Sequence, residues 1–194
     1  MRVMVTGFGP FLDNAVNPSD ALARAIGGRS SDHVRFVSHS PLPVAHAHAA
    51  RLAITAAQRA RVQAVVAFGL AAGTPRIQLE TVARNVSTSE HADATGRRRV
   101  GRPVLPGAPP TLRSTLDVGP IRSALRASGI PASLSSDAGG YVCNDLFYRL
   151  LHAQPIARMT FIHVPAHVRV AQVAGPLARG IARAVIASVR DVSR

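Results

Sequence analysis

The sequence has no tryptophan and a single cysteine, Cys143, among its 194 residues. One cysteine excludes an internal disulfide, so nothing covalent staples this fold. Lysine is missing altogether: all 23 basic residues are arginine, set against 10 acidic ones, for a formal charge of +13. Glutamate is nearly missing, with only Glu80 and Glu90. A strongly basic balance ordinarily suggests nucleic acid. Here the arginines are dispersed, with Arg97-Arg98-Arg99 the only run of three, and aromatic residues make up just 4%, which leaves few platforms for stacking bases. The arginine and alanine bias looks like coding bias rather than a phosphate footprint, and no specific nucleic-acid partner is expected. No apolar run approaches a membrane span, and the N-terminus Met1-Arg2-Val3-Met4-Val5-Thr6-Gly7 lacks a signal-peptide core. A cytoplasmic protein without a membrane partner is expected.

What is present suits a packed core. Hydrophobic residues make up 47% and charged ones 17%, and the length is that of one ordinary domain, expected to span residues 1–194. Apolar, β-rich runs at Arg2–Thr6, Val34–Val37, Val62–Phe68 and Met159–Pro165 read as strands, Val62–Phe68 being the continuous run typical of a central parallel strand. Ile77–Val86 alternates in the manner of a half-exposed strand, and Ile130–Leu134 reads as a short buried one. Between them fall helices: one capped by Asn17 with Pro18 at its first position and stopped by Gly27-Gly28, then Val44–Arg61, Val118–Ser128 and Val170–Val189. From Ser87 to Pro110 periodicity is lost, which predicts a long loop. This alternation of strand and helix predicts an α/β fold, a three-layer α/β/α sandwich with a mostly parallel twisted sheet.

Cys143 stands where that organisation makes a thiol reactive. Gly139-Gly140 permits a sharp turn, and Val142, Leu146 and Leu150 form a helical stripe behind it, so Cys143 falls in the first turn of a helix. Unpaired N–H groups and the positive dipole end there favour the thiolate. A lone cysteine is also at home as a small buried hydrophobe, so the nucleophile reading needs an imidazole and an orienting group from elsewhere. His163 closes the Met159–Pro165 strand, and active sites collect at the carboxyl ends of parallel strands. It could equally be a satisfied core histidine. Glu80 sits among Leu79, Val82 and Ala83, either as a functional carboxylate or on a solvated strand face beside Arg76 or Arg84. Phe8 and Phe11, on the loop after the first strand, are either pocket walls or core. His46 and His48 are expected at the surface, since an i, i+2 pair points to different sides of a helix.

Three separated segments share one pattern: Gly7-Phe8-Gly9-Pro10-Phe11 with Asn17-Pro18-Ser19, Glu80 with Asn85, and Ala138-Gly139-Gly140-Tyr141-Val142-Cys143-Asn144 followed by Phe161-Ile162-His163-Val164-Pro165. Together they resemble pyroglutamyl peptidase I, or pyrrolidone-carboxylate peptidase, a family of cysteine peptidases. The resemblance implies Cys143 as nucleophile, His163 as general base and acid, and Glu80 as the carboxylate orienting the imidazole. It implies Phe8 and Phe11 about the flat pyrrolidone ring, with Asn17, Leu70 and Val142 as further substrate contacts. The implied substrates are peptides with an N-terminal pyroglutamate, the implied assembly is a dimer or tetramer, and no metal or cofactor is implied. The sequence departs from the family at Val86–Asp93, where Glu90 takes the place of an arginine, at Leu12-Asp13 in place of Gly-Gly, and at Ala166-His167-Val168. The Glu90 change leaves open a divergent thiol amidase of other small acyl amides, or a catalytically weak binding protein.

Overall fold

The computed structural model describes residues 1–11, 15–153 and 158–190. In chain order, β1 (Arg2–Thr6) leads to α1 (Pro18–Ile26), and a hairpin of β2 (Ser30–Ser31) and β3 (Val34–Ser38) precedes α2 (His48–Arg59). Then come β4 (Ala64–Leu70), β5 (Ile77–Glu80), β6 (Val82–Arg84) and β7 (Thr111–Arg113). The order ends with α3 (Gly119–Ala127), β8 (Ala132–Ser135), α4 (Val142–Ala153), β9 (Arg158–Val164) and α5 (Val170–Arg190). Seven strands form a sheet in the order β2-β3-β1-β4-β9-β5-β8. Its pairs are parallel except β2 with β3 and β5 with β9.

The sheet is covered on both faces, which is why its central strands can be apolar throughout. Val5, Phe68, Leu79 and Ile162 pack against α1, α3 and α5, while Met4, Val65 and Phe161 pack against α2 and α4. Phe68 and Phe161 are fully buried, and losing either ring would cost roughly 3–5 kcal/mol. The α/β/α layering expected from the sequence is the layering found.

Several local expectations are corrected. Ile130–Leu134 is not a buried strand: β8 lies at the sheet edge, paired with β5, and Leu134 is 51% exposed. Ile77–Val86 is not one strand. The chain turns after Glu80, where the Thr81 N–H and hydroxyl both donate to the Ser135 carbonyl, and β6 then pairs with β7 in a separate ribbon. Nor does α2 begin at Val44. Residues 44–47 are irregular, with Ala47 at φ 59°, and His46 is buried rather than at the surface. The Ser87–Pro110 stretch holds no helix or ladder strand, yet it is pinned: Asn85 donates to the carbonyls of Leu105 and Ala108 and accepts from the Leu105 N–H.

Candidate active site

Strand register brings the site together. Gly69 on β4 stands opposite His163 on β9, and on the other side of β9 Glu80 of β5 stands opposite Phe161. Paired residues share a face and alternate residues return to it, so Glu80, Phe161 and His163 all point toward the α2 and α4 side. Leu79 and Ile162 point the other way, into the opposite core. The alternation read in Ile77–Glu80 is therefore real, but its polar face is covered rather than solvated. Glu80 is fully buried, and Arg84 pairs instead with Asp137.

His163 Nδ1 lies 2.8 Å from Glu80 Oε1. That contact leaves Nε2 as the ring nitrogen available to Cys143, whose side chain acts on the imidazole. Burial works to lower the imidazole pKa, but the hydrogen bonds with Cys143 and Glu80 and the negative charge of both raise it to about 9. His163 is thus held in its protonated form, as an imidazolium beside Cys143. The second Glu80 oxygen, Oε2, is buried without a partner among the described residues.

Cys143 is half-buried in the first turn of α4, where the sequence placed it. The two glycines before that helix serve different ends. Gly139 has φ 78°, a left-handed conformation that favours glycine. Gly140 lacks a side chain because Thr88 occupies the space: an added Cβ would lie 2.8 Å from the Thr88 nitrogen, with the Thr88 hydroxyl nearer still. The Gly140 carbonyl accepts N–H bonds from both Thr88 and Ser89. Next to the cysteine, buried Asn144 accepts from the Arg84 N–H and donates to the carbonyls of Arg84 and Val86. The Cys143 turn is therefore bolted to the 84–89 segment, a role for Asn144 that no sequence pattern announced. Beneath the sulfur lies Gly69, where a Cβ would stand 2.9 Å from Cys143 Sγ.

A cleft of about 480 Å³, counting its open mouth, runs up to Cys143 and is lined by Phe8, Phe11, Asn17, Val44, Leu70, Tyr141 and Val142. All five substrate-contact residues expected from the sequence are among them. Val44 and Tyr141 were not foreseen: Val44 precedes α2 in an irregular turn, and Tyr141 stood inside the cysteine motif without a role of its own. The ring facing Phe11 is Tyr141, with centroids 6.1 Å apart, whereas Phe8 is 3% exposed and belongs to the core beneath. The Asn17 amide is engaged within its own loop, accepting from the Ser19 N–H and hydroxyl and donating to the Gly9 carbonyl, so it shapes the loop that carries the two phenylalanines.

Of the departures noted in the sequence, Val86–Asp93 braces the cleft from behind, through the Thr88 and Ser89 N–H groups at the Gly140 carbonyl and the Ala92 carbonyl at the Tyr141 hydroxyl. Glu90 is exposed and is not among the described residues lining it. His167 and Val168 line a separate groove with Arg76 and Ile130. Leu12-Asp13 lies outside the described residues.

A mostly apolar cleft ending at a thiol, an imidazole and a buried carboxylate can bind a small flat acyl group and transfer it to sulfur. The comparisons agree with that chemistry. A family model described as pyroglutamyl peptidase matches residues 1–182. The pyrrolidone-carboxylate peptidase of Gloeobacter violaceus is 41% identical over 169 residues, covering 85% of this chain and 82% of its own. That of Thermococcus kodakarensis is 36% identical over 171 residues, covering 85% and 81%. Among solved structures, pyroglutamyl peptidase I from Bacillus amyloliquefaciens superposes with a TM-score of 0.91 at 26% identity, covering 96% of each chain.

Proposed function

The chain belongs to the pyroglutamyl peptidase family, and from that premise we propose that Cys143, His163 and Glu80 are the triad with which it removes N-terminal pyroglutamate from peptides. The protein is a cysteine peptidase, a hydrolase. The observation that carries the residue assignment is the buried 2.8 Å contact of His163 with Glu80, on the sheet face that Cys143 overlies.

The pyrrolidone ring enters the cleft between the Phe11 and Tyr141 side and the Leu70 and Val142 side, which brings the exocyclic amide to Cys143. The thiolate attacks the amide carbonyl carbon, and N–H groups at the start of α4 are the natural donors to the resulting oxyanion. His163 Nε2 gives its proton to the amine nitrogen as the C–N bond breaks, leaving a thioester. Water, deprotonated by the now neutral His163, attacks the thioester carbon. The C–S bond then breaks, pyroglutamate leaves, and the thiolate–imidazolium pair is restored. Glu80 holds the Nδ1–H tautomer and stabilises the imidazolium throughout.

Assembly into a dimer or tetramer, a single domain over the chain, and action in the cytoplasm belong to the same reading; an unpaired reactive thiol suits a reducing compartment. No helix among the described residues is long and apolar enough to cross a membrane.

The test is hydrolysis of pyroglutamyl aminomethylcoumarin amide beside a panel of other N-acyl amides, with and without iodoacetamide. Cleavage confined to the pyroglutamyl substrate, lost on alkylation and in Cys143→Ser, is expected. Full activity in Cys143→Ser would overturn the assignment.

A further inference from the structure

His46 is buried, with 3% of its side chain exposed, and takes no part in the reaction above. Its surroundings are unusual for a histidine outside the catalytic set. Its ring meets Tyr141 edge-on, with centroids 5.5 Å apart at 87°. Its Nδ1 lies 3.5 Å from Oδ2 of Asp145, a contact longer than an ordinary hydrogen bond, and Asp145 sits two residues after Cys143 in α4. Its backbone N–H donates to Asp93 at 2.9 Å.

The turn that carries His46 is held by force. Ala47 has φ 59°, a left-handed conformation costly for a residue with a Cβ. Its N–H donates to Asp145 Oδ1 at 2.8 Å, and the same oxygen accepts from Arg149 Nε at 2.9 Å. On the other side Asp93 accepts from His46, Thr95 and Arg97, and the Ala94 N–H donates to the Val44 carbonyl at 2.8 Å. Two buried carboxylates from distant segments thus fix one strained turn. Strain of this kind persists only where surrounding contacts over-determine it.

The turn delivers two things to the cleft: Val44 as a lining residue, and the His46 ring behind Tyr141. Tyr141 in turn donates its hydroxyl to the Ala92 carbonyl at 2.8 Å. The wall facing Phe11 is therefore held at its hydroxyl by the 92–97 segment and at its ring by His46. We propose that His46 is a positioning residue for the acyl-ring subsite, acting through Tyr141, with Asp145 and Asp93 holding the turn that aims it. This assignment rests on the reading that the cleft takes the pyroglutamyl ring.

The edge-on geometry separates the ring's contribution from the contact with Asp145. Phenylalanine at 46 keeps an aromatic edge against Tyr141 and loses the contact with Asp145, whereas leucine fills similar space without an aromatic edge. His46→Leu is expected to raise KM for the pyroglutamyl amide about fivefold or more, with kcat within about threefold of wild type, and His46→Phe to restore KM to within about twofold. A second readout needs no turnover: the concentration of free pyroglutamate that protects Cys143 from iodoacetamide should rise with KM in His46→Leu, while the unprotected alkylation rate stays the same. A lower melting temperature with unchanged KM and protection, or His46→Phe behaving like His46→Leu, would overturn the proposal. A wild-type protein inert on the pyroglutamyl amide and unprotected by pyroglutamate would overturn the functional reading, and this assignment with it.

Discussion

Gly69 and Cys143 approach each other so closely that a Cβ on residue 69 would lie 2.9 Å from the sulfur and 2.7 Å from the Phe161 ring. A methyl group there has nowhere to go, because β4 is paired on both sides and Phe161 is fully buried. Gly69→Ala is expected to push the sulfur away from His163. Misplacement of a reacting atom by about 1 Å costs on the order of 100-fold in rate, and overpacking costs roughly 1–3 kcal/mol of stability. Steady-state kinetics and urea unfolding of the variant measure both, and a kcat within threefold of wild type would show that the sulfur position is not limiting.

The raised pKa of His163 has a definite sign for pH dependence. Its protonated form is favoured in the folded protein, up to about 9 against an ordinary 6.5. The stability it contributes is fully present below about pH 6.5 and is lost as pH rises through about 9. The same deprotonation removes the general acid, so kcat/KM should fall on an alkaline limb near pH 9. Glu80→Gln keeps the shape and removes one of the charges that hold the proton. It is expected to move that limb to lower pH and to reduce kcat by roughly 100-fold or more. An alkaline limb that stays in place in Glu80→Gln would remove Glu80 from the triad.

Asp93 behaves in the opposite sense. Burial works to raise its pKa, but the Thr95 hydroxyl and the N–H groups of His46, Arg97 and Thr95 outweigh it and hold the carboxyl at about 2. Its stabilising contribution is present above the ordinary value of 3.8 and disappears as pH falls from there through about 2. Asp93→Ala leaves those donors unpaired, with an expected loss of roughly 2–4 kcal/mol in urea unfolding at neutral pH. The acid limb of stability between pH 4 and 2 should flatten in the variant. Tryptic cleavage at Arg97-Arg98-Arg99, all within or just beyond the turn that Asp93 ties down, should quicken. Unaltered cleavage would show that the turn is held by other contacts.

Much of this molecule was legible without coordinates because its signals are local. The continuous run Val62–Phe68 declared a central strand, found at Ala64–Leu70, Asn17-Pro18 declared a helix start, and Gly139-Gly140 followed by a helical stripe put Cys143 in a first turn. Those features follow from propensity and periodicity within a few residues. The pairing of distant residues was legible only as a resemblance. Period-two alternation put Glu80 and Leu79 on opposite faces but could not say which face was wet; helix α4, packed on β9 and β6, decided that. His46 was misread for a related reason. An i, i+2 argument presumes a helix, and the turn at residues 44–47 is held out of helical geometry by Asp93 and Asp145, which lie 47 and 98 residues along the chain from their partners His46 and Ala47. The sequence alone determined most of the central strands and helices, the place of Cys143 at a helix start and the alternation of faces along each strand. Tertiary structure decided which face is buried, because burial and hydrogen bonding are settled by segments that meet only once the sheet is closed on both sides.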